Sequence, residues 1–299
     1  MPTRTVRLKV PTPFDLTLCL HGHGWVALAP HAFDESPATL RTVLRLGEHA
    51  VDATLTQADA ATLRLQLVGA VPLTAADGRT AVTQIRHMLR LDDDLSAFHA
   101  MCREEPRLRW AARRAAGRLL RSATVFEDLM KLLFTTNTSW AATEAMTRNL
   151  VAAAGSAAPS GARAFPTPRQ CVRDVAFYRD VVRVGYRAEA ALQLATAFAD
   201  GTLDDATFLA PQSAETLWQR LLALRGFGPY AAGQALRLLG HYDKLALDSW
   251  CRARLAELAG RSRPPADRTV ERRYAKWAPF QGLALWLDLT AEWHGEGGR

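Results

Sequence analysis

Leu221-Leu222-Ala223-Leu224-Arg225-Gly226-Phe227-Gly228-Pro229-Tyr230-Ala231-Ala232 is the stretch on which the fold turns. A helical run ends in Gly-x-Gly, and a second helix rich in small residues restarts at once. Two glycines two apart let the backbone turn tightly with positive φ. They also set successive N–H groups at the N-terminus of the second helix, where an anionic group can be held. A plain tight turn between helices needs the same residues. Twenty residues beyond Gly228, Leu245-Ala246-Leu247-Asp248-Ser249-Trp250-Cys251-Arg252 puts one carboxylate after an apolar run and at the start of a further helix. As an N-cap alone, Asp248 is worth about 1 kcal/mol.

Working outward, the pattern is helical from about Leu95 to the end. Phe126, Leu129, Met130, Leu133 and Phe134 form an i, i+3, i+4, i+7, i+8 stripe. Thr124 and Glu127 precede it with the spacing of a capping box, which predicts a buried helix. The segment from Ala152 to Pro168, rich in Ala, Gly, Ser and Pro, reads as a loop. Further helices are expected at Ala188 to Phe198, Ala214 to Leu224, Ala231 to Leu239, Asp248 to Leu258 and Phe280 to Trp293. The first third differs. Asp15 to Leu20, Val51 to Leu55 and Leu63 to Leu67 alternate apolar and polar residues and read as strands. Val82, Ile85, Met88 and Leu89 then fall at helical spacing. The expected class is α+β: an N-terminal antiparallel β-sheet domain with a covering helix over residues 1–95, followed by an all-α region over 96–299.

With 299 residues, 48% of them hydrophobic and 22% charged, the chain can fill one large or two modest cores and is neither disordered nor fibrous,. No uninterrupted apolar run of about 18 residues occurs, and Met1 to Pro13 lacks the apolar block of a signal peptide, so a cytoplasmic protein without a membrane partner is expected. The formal net charge of +7 points to an anionic partner,. Residues 1–95 carry 9 Lys and Arg against 10 Asp and Glu, leaving 28 against 20 for residues 96–299. The densest basic run is Arg103, Arg107, Arg109, Arg113, Arg114, Arg118 and Arg121, which suits a solvated helix face as well as a phosphate track. Cys19, Cys102, Cys171 and Cys251 are 69 or more residues apart, which excludes a paired zinc knuckle and a closely spaced iron–sulfur cluster,. They read as small buried residues. His21 and His23 lack further ligands nearby in sequence, so they are assigned to a turn between strands and no metal site is expected.

The hairpin, its Gly/Pro-rich turn and the downstream aspartate resemble the helix-hairpin-helix (HhH-GPD) DNA glycosylase superfamily. The resemblance extends to Thr124–Asn137 (TVFEDLMKLLFTTN), which looks like the helix leading to the loop that probes the DNA minor groove. It extends also to Gly185-Tyr186-Arg187-Ala188, an element of the 8-oxoguanine branch, and covers residues about 95 to 293. The arrangement of the first third is similar to the N-terminal domain shared by 8-oxoguanine DNA glycosylase and 3-methyladenine DNA glycosylase II.

What the resemblance implies is specific. Asp248 is the catalytic carboxylate. Gly226, Gly228 and Tyr230 grip a phosphate of damaged double-stranded DNA, with a monovalent cation on the hairpin carbonyls as the one cofactor to be considered. Asn137 enters the gap left by the flipped base, and Arg187 contacts the estranged base. Members that also cut the backbone have a lysine where this chain has Tyr230, and a phenol cannot form a Schiff base. A monofunctional enzyme, acting as a monomer on nucleoid DNA, is therefore implied. Trp140, Trp250, Phe280 and Trp286 are candidates for stacking on the base, though such residues at helical spacing also build cores. Tyr230 favours alkylated purines, and the Gly185–Ala188 element favours oxidised ones. A DNA-binding module that uses the hairpin without catalysis is the competing class, and Asp248 is what it would not need.

Overall fold

The computed structural model describes residues 1–296. The chain packs into two compact units, one formed by Met1–Asp93 with Arg118–Phe208 and the other by Asp94–Gly117 with the described residues from Leu209 onward. The change from strands to helices near residue 95 is thus a change of secondary structure, and both units contain helices from beyond it.

In the first unit, β1 (Thr3–Lys9), β2 (Ala32–Glu35), β3 (Ala38–Leu46), β4 (His49–Asp59) and β5 (Thr62–Val68) form one antiparallel sheet in the order β1-β5-β4-β3-β2. Alternation fixes the register: Leu65 lies opposite Leu55 and Leu55 opposite Leu40, all three sealed from solvent,. The expected helix, Ala75–Met88, packs on β1 and β3 and starts with a capping box between Thr74 and Asp77. At its end Arg121 donates to the His87 carbonyl at 2.8 Å.

Asp15 to Leu20 is not a strand. Leu16–Leu20 is a short helix whose cap, Asp15, accepts the Leu18 amide at 2.9 Å. Leu16, Leu18, Cys19 and Leu20 are all buried, so the apolar residues surround this turn and do not line one face of a sheet. His21 and His23 accordingly lie between that helix and a 3-10 turn, Gly24–Ala27, and not between strands. His23 packs edge-on against Trp25, with ring centroids 4.4 Å apart.

Helix Val125–Thr135 has the predicted stripe buried, and its other faces are buried too. Thr124 accepts the Glu127 amide at 3.2 Å, but Glu127 does not complete the capping box; its carboxylate takes Lys131 Nζ at 2.6 Å. Asp128 accepts the Trp25 indole N–H at 2.6 Å and the Ser122 amide at 2.8 Å. A charged group this deep needs such partners. Burial raises the carboxyl pKa of both residues in spite of them. Helix Trp140–Ala154 follows.

The second unit is helical in its described residues: Ser96–Glu104, Arg109–Arg113, Ala214–Leu222, Pro229–Leu239, Ser249–Leu258, Asp267–Tyr274 and Gln281–Thr290, with 3-10 turns at Ala275–Trp277 and Ala291–His294. Much of the basic run is spent on internal ties and not on a continuous phosphate track. Arg107 pairs with the buried Asp288 at 2.9 Å, Arg113 with Glu296 at 3.0 Å, and Arg114 donates to the His294 carbonyl at 2.7 Å. Among the described residues no helix is long and apolar enough to cross a membrane.

Candidate active site

The hairpin joins Ala214–Leu222, capped by Ser213, to Pro229–Leu239, whose cap is Gly228 and whose first residue is Pro229. Gly226 takes a φ of +85°, which an L side chain would resist,. Phe227 is buried and its amide donates to the Leu224 carbonyl at 3.0 Å, so the turn is pinned from below. Gly226, Gly228 and Pro229 stay exposed, with Tyr230 half-buried beside them. A Cβ on Gly228 would meet nothing within 4 Å, which leaves this face open to a ligand. An exposed turn followed by a Pro-started helix N-terminus is an anion site in form.

Asp248 caps Ser249–Leu258 by accepting the Cys251 amide at 2.6 Å. This bond fixes one carboxylate oxygen and leaves the half-buried group directed by the helix N-terminus. The segment before it is clamped between two glycines. A Cβ on Gly233 would fall 2.7 Å from Ala246 Cβ, and one on Gly282 would fall 2.3 Å from the Lys244 carbonyl oxygen. The Gly282 amide donates to the Tyr242 carbonyl at 2.6 Å, and Ala246 itself has a φ of +52°. Both glycines are therefore required by close backbone approach. Arg237, wholly buried on the second hairpin helix, donates to the Leu245 carbonyl and to Gln234 Oε1, each at 2.9 Å. Cys251 is no nucleophile, since burial, reinforced by the Asp248 charge, pushes its thiol up to about 12,.

Of the four aromatic candidates, Trp250 is two residues from this aspartate in the chain and Trp286 packs against Trp250. Trp250 and Trp286 have ring centroids 5.9 Å apart, and Trp293, which the sequence reading did not select, stands 5.6 Å from Trp250 and 5.7 Å from Trp286. Trp250 and Trp293 are 39% and 50% exposed, whereas Trp286 is buried with the Arg237 guanidinium 4.9 Å from its ring centre. Phe280 belongs elsewhere in the unit, packed on Phe98 at 5.5 Å and Tyr242 at 6.1 Å. Trp140 is in the first unit, lying so close over Gly24 that a Cβ there would be 2.7 Å from its ring.

In the first unit Asn137 is exposed at the end of the Val125–Thr135 helix, with a φ of +52°. Arg187 reaches this loop from the Gly185–Arg187 turn. Its guanidinium donates to Thr136 Oγ1 at 3.1 Å, to the Val184 carbonyl at 3.1 Å and to the Asn137 carbonyl at 3.3 Å, and also to the Thr136 carbonyl. It is buried beneath Tyr186, 4.4 Å from the ring centre, and Tyr186 is 70% exposed. Arg187 thus holds the loop, and Tyr186 is the group that projects. Sequence reasoning missed Tyr186, Arg237, Gly233, Gly282 and Trp293. A glycine inside a helix, as at position 233, was the one available signal among them.

No protein-family model and no curated protein matches the chain significantly. Its fold does match solved structures over almost its whole length. The 3-methyladenine DNA glycosylase of Archaeoglobus fulgidus superposes with a TM-score of 0.76 at 16% identity, covering 96% of this chain and 98% of that one. MBOgg1 in complex with a low-affinity DNA ligand gives 0.74 at 18% identity, covering 97% and 96%. The apo 8-oxoguanine glycosylase/lyase of Clostridium acetobutylicum gives 0.72 at 15% identity, covering 95% of each. The chain has the mixed α+β fold of these solved structures.

Proposed function

We propose that the protein is a monofunctional DNA glycosylase of base excision repair. It flips a damaged purine, above all an alkylated one, from duplex DNA and hydrolyses the N-glycosidic bond to leave an abasic site. The observation that carries this reading is Asp248, oriented by the Cys251 amide and set beside the Trp250, Trp286 and Trp293 cluster. A flipped base needs a stacking surface, and exposed indole faces provide one. Departure of the base builds positive charge on the deoxyribose, which the Asp248 carboxylate stabilises while orienting the attacking water. The neutral phenol of Tyr230 leaves no amine at the hairpin for a Schiff base. Lys244 and Lys276 are tied to Glu215 and Glu105.

The exposed hairpin backbone around Gly226, Gly228 and Tyr230 would take a phosphate, a contact that positions DNA without reading its sequence. Its carbonyls suit a monovalent cation at the same turn. Asn137, with Tyr186 beside it, would fill the gap in the stack. Arg187 would act on the estranged base's side by holding that loop. The protein would work as a monomer on cytoplasmic DNA. One observation favours a second substrate class: the Gly185–Ala188 turn, with its buried arginine and exposed tyrosine, also suits an oxidised-purine enzyme.

The test is Asp248→Asn. It should lower single-turnover base release by at least about a hundredfold while leaving DNA affinity unchanged. Near-normal release would remove Asp248 from the mechanism. DNA binding without release from any lesion, by the unaltered protein, would make the chain a binding module.

A further inference from the structure

We propose that the cleft between helix Trp140–Ala154 and the Val182–Gly185 turn is a second phosphate site, in which Arg148 and Arg183 hold a phosphodiester of the DNA backbone. The proposal rests on the glycosylase reading above and deepens it by naming a DNA contact in the unit that carries the Asn137 loop.

The cleft has a volume of about 360 Å³, within the size of ligand sites, and reaches Thr138,. Arg148, Arg183 and Arg187 line it, and among the described residues no carboxylate does. Three like charges around one cleft repel, an arrangement that an anion relieves. Arg187 turns its donors to the Thr136–Asn137 loop. Arg148 and Arg183 are exposed, and neither side chain has a hydrogen bond or an ion pair among the described residues. Asp180, three residues before Arg183, pairs with Arg179 at 2.8 Å instead. Beneath this charge the floor is apolar, with Met146, Val182 and Val184 all buried. A cationic rim over an apolar floor fits a sugar-phosphate, the phosphate meeting the guanidinium groups and the deoxyribose meeting the floor. A base edge mixes donors with acceptors, and its donors would face arginines that can only donate.

The backbone of Arg183 is a second, independent sign. This residue ends the Phe177–Val182 turn with a φ of +66°, a left-handed position where glycine is the ordinary residue and a side chain is strained,. Glycine would suit the fold better there. An arginine held in strain is explained by what its side chain does beyond the fold.

The experiment measures affinity for a duplex carrying a tetrahydrofuran abasic-site analogue, in which the linkages of both strands are replaced one at a time by uncharged methylphosphonates. At one linkage the unaltered protein should lose about tenfold in affinity, whereas the double variant Arg148→Gln, Arg183→Gly should lose less than about twofold at that same linkage. The double variant should also flatten the slope of log Kd against log salt by about one. Arg183→Gly alone should bind DNA several-fold more weakly yet melt no lower than the unaltered protein, a pair of effects that a merely structural arginine does not give. Equal sensitivity of the double variant and the unaltered protein at every linkage overturns the proposal. So does a loss of affinity in the variants that changes with the base opposite the lesion, because the cleft would then hold a base. Coupling to one linkage without release of a base from any lesion would sustain this site and defeat the glycosylase reading, and base release without such coupling would do the reverse.

Discussion

Arg187 in the first unit and Arg237 in the second are both buried, both lie against an aromatic ring, and both donate to backbone carbonyls of a neighbouring segment. They differ in what they support. Arg187 sits under Tyr186, which is 70% exposed, and holds the Thr136–Asn137 loop in an outward, left-handed turn. Arg237 sits behind Trp286, which is buried, and holds Leu245 on the way to the half-buried Asp248. One arginine braces an exposed loop and the other braces the segment that leads to Asp248. The guanidinium suits both tasks, since its planar fork can meet several carbonyls while its face packs on a ring.

If the segment before Asp248 depends on close backbone approach, its glycines should tolerate substitution least. Gly282→Ala places a Cβ 2.3 Å from the Lys244 carbonyl oxygen, which belongs to the backbone and cannot turn aside. It should cost about 3 kcal/mol in a denaturant melt and reduce base release through Asp248 as well. The Thr136–Asn137 loop should be less demanding. Arg187→Met should cost about 1–2 kcal/mol, from carbonyls left without a donor, and should weaken capture of damaged duplex more than it alters the melt of the remainder. Unchanged damaged-duplex affinity in that variant would mean that the loop does not need its brace.

The first unit should also respond to acid. Burial, with Arg121 and Arg90 nearby, holds His87 down at about 3, and burial keeps His31 well below its usual range. His87 is neutral when folded at pH 5, whereas in the unfolded chain it takes up a proton below about 6.5,. Its contribution is complete above that pH and is lost as pH falls toward the folded value, at about 1.4 kcal/mol per pH unit. His87→Gln should flatten the fall of melting temperature between pH 6.5 and 4; an unchanged slope would exclude His87 as its cause. The smallest effect is expected at the hairpin. Gly228→Ala has open space around the new methyl and should cost under about 1 kcal/mol of stability, with DNA affinity several-fold lower at fixed salt,.

Much of this architecture was legible from local pattern. Alternation located β4 and β5, the 3.6-residue period located Val125–Thr135, and Gly-x-Gly with Pro229 located the hairpin. Asp15–Leu20 misled because six residues are too few to separate a period of 2 from a buried helical turn, and the decisive feature was the Asp15 cap,. Asp248 was visible as a carboxylate at a helix start. Its supports were not, because Gly282 and Arg237 act through contacts with residues 244 and 245 that arise only after folding. The aromatic candidates divided for the same reason: Trp250, Trp286 and Trp293 gather from three elements, while Phe280 packs on Phe98 and Tyr242.

The most direct measurement is base release from duplexes that each carry one alkylated, deaminated or oxidised purine, scored for strand breaks with and without alkali. The account predicts release from at least one lesion, with breaks only after alkali and none in Asp248→Asn. Breaks without alkali, together with a borohydride-trapped protein–DNA adduct, would contradict it, because an amine other than one at position 230 would then be attacking the sugar.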